Sequence, residues 1–232
     1  MILFFKNIGL LFTKIYFAFY FATCFIICCN TSTQAQEIIG SGVWLSSELK
    51  YKATKKFAIN FNQQIREITN PLQVGTLQLE AGVDYDLLKH LTVSGYYRFD
   101  LKPDIYSPDI IQHRLYFDAS VDHKFKKKFT IDFRLRFQKQ FQLIKLPNKY
   151  LRPKLTFKYK LNKKYSVYAD GELFYNLSYL GNQFDNFRAE TGIKWDVKHG
   201  VSWSAFYLFD RSFNVAPNGY QHILGITFGK EW

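Results

Sequence analysis

Cysteine is missing from most of this 232-residue chain, since its only three, Cys24, Cys28 and Cys29, lie near the beginning. From residue 30 onward the sequence therefore has no disulfide, no thiolate nucleophile and no cysteine metal ligand. Helical periodicity, low-complexity tracts and linker-like stretches are also missing there. No phosphate-binding loop, zinc motif or paired-carboxylate signature occurs, so the sequence predicts no metal site, no cofactor and no catalytic residues.

Charge is scarce at the start of the chain, where Lys6 and Lys14 are the only charged residues before position 36. An apolar run at 15–29 follows, and small polar residues come next. This order is typical of a secretory signal peptide, which predicts that residues 1–35 are removed and that residues 36–232 form one domain. The alternative is a membrane anchor, but a spanning helix needs roughly 20 apolar residues.

Strict alternation of apolar and polar residues is the main feature of the rest of the chain. Between positions 129 and 138 the odd residues are all apolar and the even residues are all polar or charged. Successive side chains point to opposite faces of a strand, so each such segment has one apolar and one polar face. The same pattern predicts eleven strands, at 42–52, 57–67, 75–86, 91–100, 110–122, 129–140, 150–161, 165–176, 186–196, 201–210 and 220–230.

The lengths of these strands and of their connections favour a membrane barrel. Most predicted strands have ten or more residues, whereas a tilted membrane strand needs about 9–11 and soluble strands usually have about 5–6. Short turns alternate with longer loops, as they do in outer-membrane barrels. The sequence thus predicts an all-β fold, a transmembrane antiparallel β-barrel with an apolar outside and a polar lumen. The long loops would be extracellular.

The number of strands is left between ten and twelve. Bacterial single-chain barrels have an even number, and eleven strands would make the first and last parallel. Twelve is favoured, with residues 36–51 supplying two short strands. Ten would follow if one predicted strand stays out of the barrel.

Aromatic residues make up 19% of the chain, and their positions suggest an interfacial girdle and an insertion signal. Trp and Tyr near strand ends are typical of interfacial girdles, because their rings are amphipathic. The predicted girdle consists of Trp44, Tyr51, Tyr85, Tyr97, Trp195 and Tyr207. The C-terminal pair Phe228 and Trp232 is similar to the aromatic signal that outer-membrane assembly machinery recognises, which makes that machinery an expected partner.

Short motifs along the predicted barrel match a known family. The matching segments are Trp44, Arg66, Gly82–Tyr85, Gly95–Arg98, Gln112–Arg114, Arg134–Arg136, Arg152–Lys154, Glu172–Phe174, Arg188, Gly192–Trp195, His222 and Gly225–Phe228. The chain resembles an uncharacterised outer-membrane β-barrel family of Gram-negative bacteria, the domain of unknown function 2490 (DUF2490). It departs from the family pattern at Gln112, where Glu is expected, and at Lys154, where Arg is expected. The resemblance implies the fold and the outer membrane, but no activity.

The polar parity carries a dense set of charges that would line the lumen. Its basic cluster is Arg114, Arg134, Arg136, Arg152, Lys154 and Arg188, and its acidic members are Glu80, Asp118, Asp132, Asp170, Glu172 and Glu190. One interpretation is a lumen plugged by ion pairs, because charges in a narrow interior must pair or stay hydrated. The other is a porin-like passage or an anion site, because Arg134, Arg136, Arg152 and Lys154 would face one another.

Function is less well defined by the sequence than location. The net charge of +12 fits anionic outer-membrane lipids, and export argues against nucleic acid. The leading class is a non-enzymatic membrane protein, either structural or a narrow passage for small polar or anionic solutes. The alternatives are an outer-membrane lipid-modifying enzyme, for which His113 and His222 are the residues to check, and a soluble periplasmic lipid-binding barrel. The oligomeric state stays open.

Overall fold

A computed structural model describes residues 38–68, 74–103, 109–125, 128–142, 145–178, 182–215 and 218–232. The predicted signal peptide, residues 1–35, lies outside these residues. The described residues form eleven strands: β1 (Ile38–Lys52), β2 (Phe57–Ile68), β3 (Val74–Leu88), β4 (Leu91–Lys102), β5 (Ile110–Phe125), β6 (Phe129–Gln142), β7 (Lys145–Lys160), β8 (Tyr165–Asn176), β9 (Gln183–Asp196), β10 (Val201–Ser212) and β11 (Gly219–Glu231). None of them forms a helix long and apolar enough to cross a membrane.

The eleven strands close into a barrel. Strands that follow one another in sequence pair antiparallel, and β1 pairs with β11 in parallel, from Ile38 beside Gly219 to Lys50 beside Glu231. Within the described residues the count of eleven taken from alternation is therefore confirmed, and the favoured count of twelve is wrong. The reason is that β1 is one continuous strand, where two short ones were expected.

Alternation decides which side chains face outward. Large apolar residues on the outer surface stay exposed, for example Phe133 at 45% and Leu224 at 63%. On the inside, polar residues such as Asp100 are fully buried. The barrel therefore has a polar interior and an apolar exterior, the reverse of a soluble barrel that carries an apolar ligand.

The turn between β9 and β10 is an example of the tight connections at one end of the barrel. His199 and Gly200 have φ values of 60° and 71°, and the Val201 amide donates to the Lys198 carbonyl at 3.4 Å. Two successive residues with positive φ are the mark of a type I′ turn, whose twist matches that of the flanking strands. We call this end, which also holds residues 53–56 and 161–164, the short-turn end, and the opposite end the long-loop end.

Glycines on the lumen side allow aromatic rings to lie flat against the barrel wall. Tyr96 lies over Gly82, and Phe206 lies over Gly225. A Cβ atom at either glycine would be 2.0 Å from the ring. Covering a strand glycine with a cross-strand aromatic is a known way to stabilise a curved sheet. The rings thereby occupy part of the lumen, and the barrel wall stays closed around them.

Candidate functional site: the charged lumen

Glu172 is the centre of an ion-pair layer in the lumen. Its carboxylate accepts hydrogen bonds from Arg134 Nη2 at 2.6 Å and from Arg152 Nη2 at 2.8 Å. Arg134 lies on β6 and Glu172 on β8, so this contact passes across the intervening strand β7. Glu172 is only 3% exposed, and a buried carboxylate of this kind needs such partners.

A second pair completes the layer, which we define as Arg134, Arg136, Arg152, Asp118 and Glu172. Arg136 contacts Asp118 through two nitrogen atoms, Nε and Nη2, at 2.8 and 2.7 Å. The guanidinium of Arg136 also lies 3.7 Å above the ring of Tyr116. Tyr116 in turn stacks on Tyr96, with ring centroids 5.1 Å apart. The layer therefore combines charge neutralisation with aromatic packing.

The four basic residues expected to face one another do so, since Arg134 is opposite Lys154 and Arg136 is opposite Arg152. Each of them also has an acidic partner, and that of Lys154 is Asp170 at 2.9 Å. They therefore do not form a free anion-selective lining.

The remaining predicted lumen charges fall into two groups. Arg114 pairs with Asp100, Arg188 pairs with Asp210, and Glu80 pairs with Arg98. Asp132 and Glu190 instead line a cavity and join no ion pair among the described residues, although Glu190 accepts a hydrogen bond from Tyr168 at 2.7 Å. The partners Arg98, Asp100 and Asp210 lie on the polar parity, but only the register identifies them as partners.

Several cavities lie inside the barrel, and three of them bear on the function of the lumen. Two of them, of about 570 and 510 Å³, extend toward the short-turn end and both reach Glu48. The third, of about 330 Å³, lies toward the long-loop end and includes Ser212 and Val215 in its lining. Arg98 lines both the first and the third cavity, so its ion pair with Glu80 lies where the two meet.

The predicted aromatic girdle needs one correction. Tyr51, Tyr85, Tyr97, Trp195 and Tyr207 are all exposed on the outer surface. Trp44 is buried, 6% exposed, and lies in the lumen beneath the guanidinium of Arg66 at 3.9 Å. The physical reason is parity, because Trp44 shares the face of Ser46 and Glu48, which line a lumen cavity, while the outer face of β1 carries Val43 and Leu45.

The C-terminal aromatics continue the barrel wall. Phe228 packs edge-on against Trp203, with ring centroids 5.0 Å apart. Trp232 is exposed, and its backbone amide donates to the carbonyl of Lys50 at 3.0 Å. Trp232 therefore sits at the seam where the last strand meets the first, and Phe228 lies opposite Ser47 across the same seam.

The two outward histidines have tyrosine partners that sequence reasoning missed. Tyr97 Oη lies 2.6 Å from His113 Nδ1, and Tyr207 Oη lies 2.6 Å from His222 Nδ1. The only available signal was the shared parity of Tyr and His on neighbouring strands. Neither contact includes a serine, and the described residues contain no group of three or more His, Cys, Asp or Glu that could hold a metal ion.

These features define a class, the closed β-barrels with an apolar exterior and an ion-paired lumen. The chain belongs to the family described as "Protein of unknown function (DUF2490)", whose model matches residues 41–221. The resemblance inferred from the sequence motifs is thereby confirmed at the level of the family.

Comparison with individual proteins adds little to this. No curated protein matches the chain. One matching solved structure is described as "Unveiling the Mechanism Behind the in-meso Crystallization of Membrane Proteins". It has 14% sequence identity and a TM-score of 0.40, and the match covers 81% of this chain and 80% of that chain.

Proposed function

We propose that the protein is an integral β-barrel of the outer membrane of a Gram-negative bacterium, with a lumen closed to free solute flow. Its function would then be structural, as a membrane-embedded scaffold, and non-enzymatic. The observation that carries the proposal is the opposition of its two faces: apolar residues outside, and charges joined in ion pairs inside.

The outer surface supports a membrane location. Every strand contributes at least one large exposed apolar side chain, whereas soluble monomers rarely expose apolar patches larger than a few hundred Å². In a bilayer such a surface is favourable, and a closed barrel also satisfies its backbone hydrogen bonds. The N-terminal signal pattern and the terminal aromatics fit export and insertion, with outer-membrane lipids and the assembly machinery as partners.

The lumen supports the closed, structural function. The ion-pair layer joins strands β5 to β8, and its acids are buried. Breaking a buried pair costs several kcal/mol, about 3–5, so this layer would not open readily to a passing ion.

A second candidate, a narrow passage for small polar solutes, is favoured by the cavities. Together they extend from near the short-turn end toward the long-loop end, with Arg98 lining the two that meet. A movement of this side chain away from Glu80 would connect them. The lipid-modifying alternative finds less support. His113 and His222 contact tyrosines, and Ser41, which lies opposite His222 on β1, forms no hydrogen bond with it among the described residues.

Conductance across a planar bilayer separates the two candidates. The wild-type protein, after refolding and verified insertion, should give no discrete current steps. A matched Glu172→Gln variant tests whether the ion-pair layer is the barrier, since it removes the charge shared by Arg134 and Arg152. Discrete steps in the wild type would overturn the closed lumen and favour the passage, and failure to insert into lipid vesicles would overturn the membrane location.

A further inference from the structure

The cavity at the long-loop end of the lumen is rich in guanidinium groups. We call it the arginine cavity and define it by its five basic lining residues: Arg66, Arg98, Arg114, Arg152 and Arg188. They come from five different strands, so the barrel fold alone brings them together. Asp185 is the single carboxylate among the lining residues described, and its Oδ2 accepts a hydrogen bond from Asn176 at 3.0 Å.

Two aromatic rings hold three of the guanidinium groups close together. Arg66 and Arg188 both lie over the ring of Trp44, at 3.9 and 5.5 Å from its centroid. Arg188 and Arg152 both lie over the ring of Phe174, at 5.2 and 4.0 Å. Arginine stacks favourably on aromatic faces, and here this stacking gathers like charges around one space.

The charges in this space are not fully offset. Arg98, Arg114, Arg152 and Arg188 each have a carboxylate partner, and that of Arg152, Glu172, is shared with Arg134. Arg66 forms no ion pair with any described residue, and its Nε donates to the amide oxygen of Gln64 at 2.6 Å. Arg66 is half-buried, and because a charge that is partly removed from water without a carboxylate partner is unfavourable, an anion beside Arg66 would stabilise the cavity.

We infer that the arginine cavity is a binding site for a small oxyanion, of the phosphate or carboxylate class. Guanidinium groups bind both through paired N–H donors. A volume of about 330 Å³ holds such an anion with several waters, since each water takes roughly 30 Å³. This site goes beyond the proposed scaffold function and does not depend on it, since the cavity belongs to the barrel whether or not the barrel conducts.

Titration of the folded barrel in detergent micelles with inorganic phosphate tests the site. Ionic strength is held constant with chloride, and binding is followed by calorimetry and by tryptophan fluorescence, with Trp44→Phe as the control that removes the signal from the cavity. The wild type should give saturable binding and a fluorescence change that Trp44→Phe lacks. Parallel titration with succinate distinguishes the two ligand classes, and binding of either anion supports the site.

Arg66→Gln is the decisive variant, and its affinity should fall at least tenfold. Lys158→Gln removes a positive charge from the cavity of about 510 Å³ near the short-turn end and should bind as the wild type does. If Arg66→Gln does not fold, Arg66→Lys keeps the charge, loses the fork and should still weaken binding. Absence of saturable binding by both anions in the folded wild type overturns the site, as does unchanged affinity in a folded Arg66 variant.

Discussion

Arg136 and Asp118 form a bidentate pair inside the barrel, with Nε–Oδ1 at 2.8 Å and Nη2–Oδ2 at 2.7 Å. They are opposite each other on neighbouring strands, and both are buried. With Tyr116 packed on the guanidinium, the pair occupies a lumen position that water would otherwise fill. This geometry is specific, because the two nitrogen atoms of Arg136 match the two oxygen atoms of Asp118.

Removing one member of this pair should be costly. Asp118→Ala leaves the guanidinium of Arg136 buried without its carboxylate, and the free energy of unfolding should fall by about 3–5 kcal/mol. Urea titration of the protein in lipid vesicles, followed by tryptophan fluorescence, measures the change.

The double variant Asp118→Leu with Arg136→Met is the control for that prediction. It removes both charges together, and buried pairs replaced by apolar residues of similar volume often lose little stability. It should therefore be more stable than Asp118→Ala alone. Equal losses in the single and double variants would contradict a direct coupling between the two side chains.

Phe133 and Arg134 are adjacent in sequence but face opposite sides of the wall. Phe133→Arg puts a charge on the outer surface and should cost about 2–4 kcal/mol if that position lies near the bilayer midplane. Arg134→Ala should leave insertion intact, because Glu172 keeps its contact with Arg152 at 2.8 Å.

Insertion into vesicles, measured as protection from added protease, tests both variants side by side. Normal folding and insertion of Phe133→Arg would mean that the outer face is not in contact with lipid. Loss of insertion in Arg134→Ala alone would mean that the ion-pair layer is required for assembly itself.

The faces of the strands could be predicted from sequence because they depend on a period of two, which is local. Phe133 and Arg134 follow directly from it. The residue type of Trp44 and its position near a strand end predict a place in the girdle, but its parity with Ser46 puts it in the lumen. Alternation predicts the eleven strands correctly. The general preference for even numbers predicts twelve and is wrong, because parallel pairing of β1 with β11 closes the barrel.

The partners inside the lumen could not be predicted in the same way. Arg134 contacts Glu172 across an intervening strand, and this depends on the register and tilt of three strands together. Alternation gives the face of a residue but not its height in the barrel. The sequence does not predict the arginine cavity for the same reason, since Arg66 and Arg188 meet over Trp44 only because the sheet closes into a barrel.

Gly225 should be intolerant of any side chain. A Cβ there would lie 2.0 Å from Cζ of Phe206, so Gly225→Ala must displace the ring and should cost about 1–3 kcal/mol of stability, as overpacking does. Gly95→Ala is the matched control, because its nearest neighbour would be Phe117 Cε1 at an ordinary 3.6 Å. The urea midpoints of the two variants in vesicles measure this difference in stability. Equal midpoints would mean that the ring of Phe206 moves freely.

Tryptophan accessibility to lipid tests the corrected position of Trp44. Trp195 and Trp203 are each 44% exposed on the outer surface, whereas Trp44 is 6% exposed in the lumen. Brominated acyl chains quench only rings that they can contact, so single-tryptophan variants that keep Trp195 or Trp203 should lose most of their fluorescence in brominated vesicles. A variant that keeps only Trp44 should lose little, because the barrel wall separates its ring from the lipid. Strong quenching of Trp44 would return it to the girdle and would also remove the aromatic base of the arginine cavity.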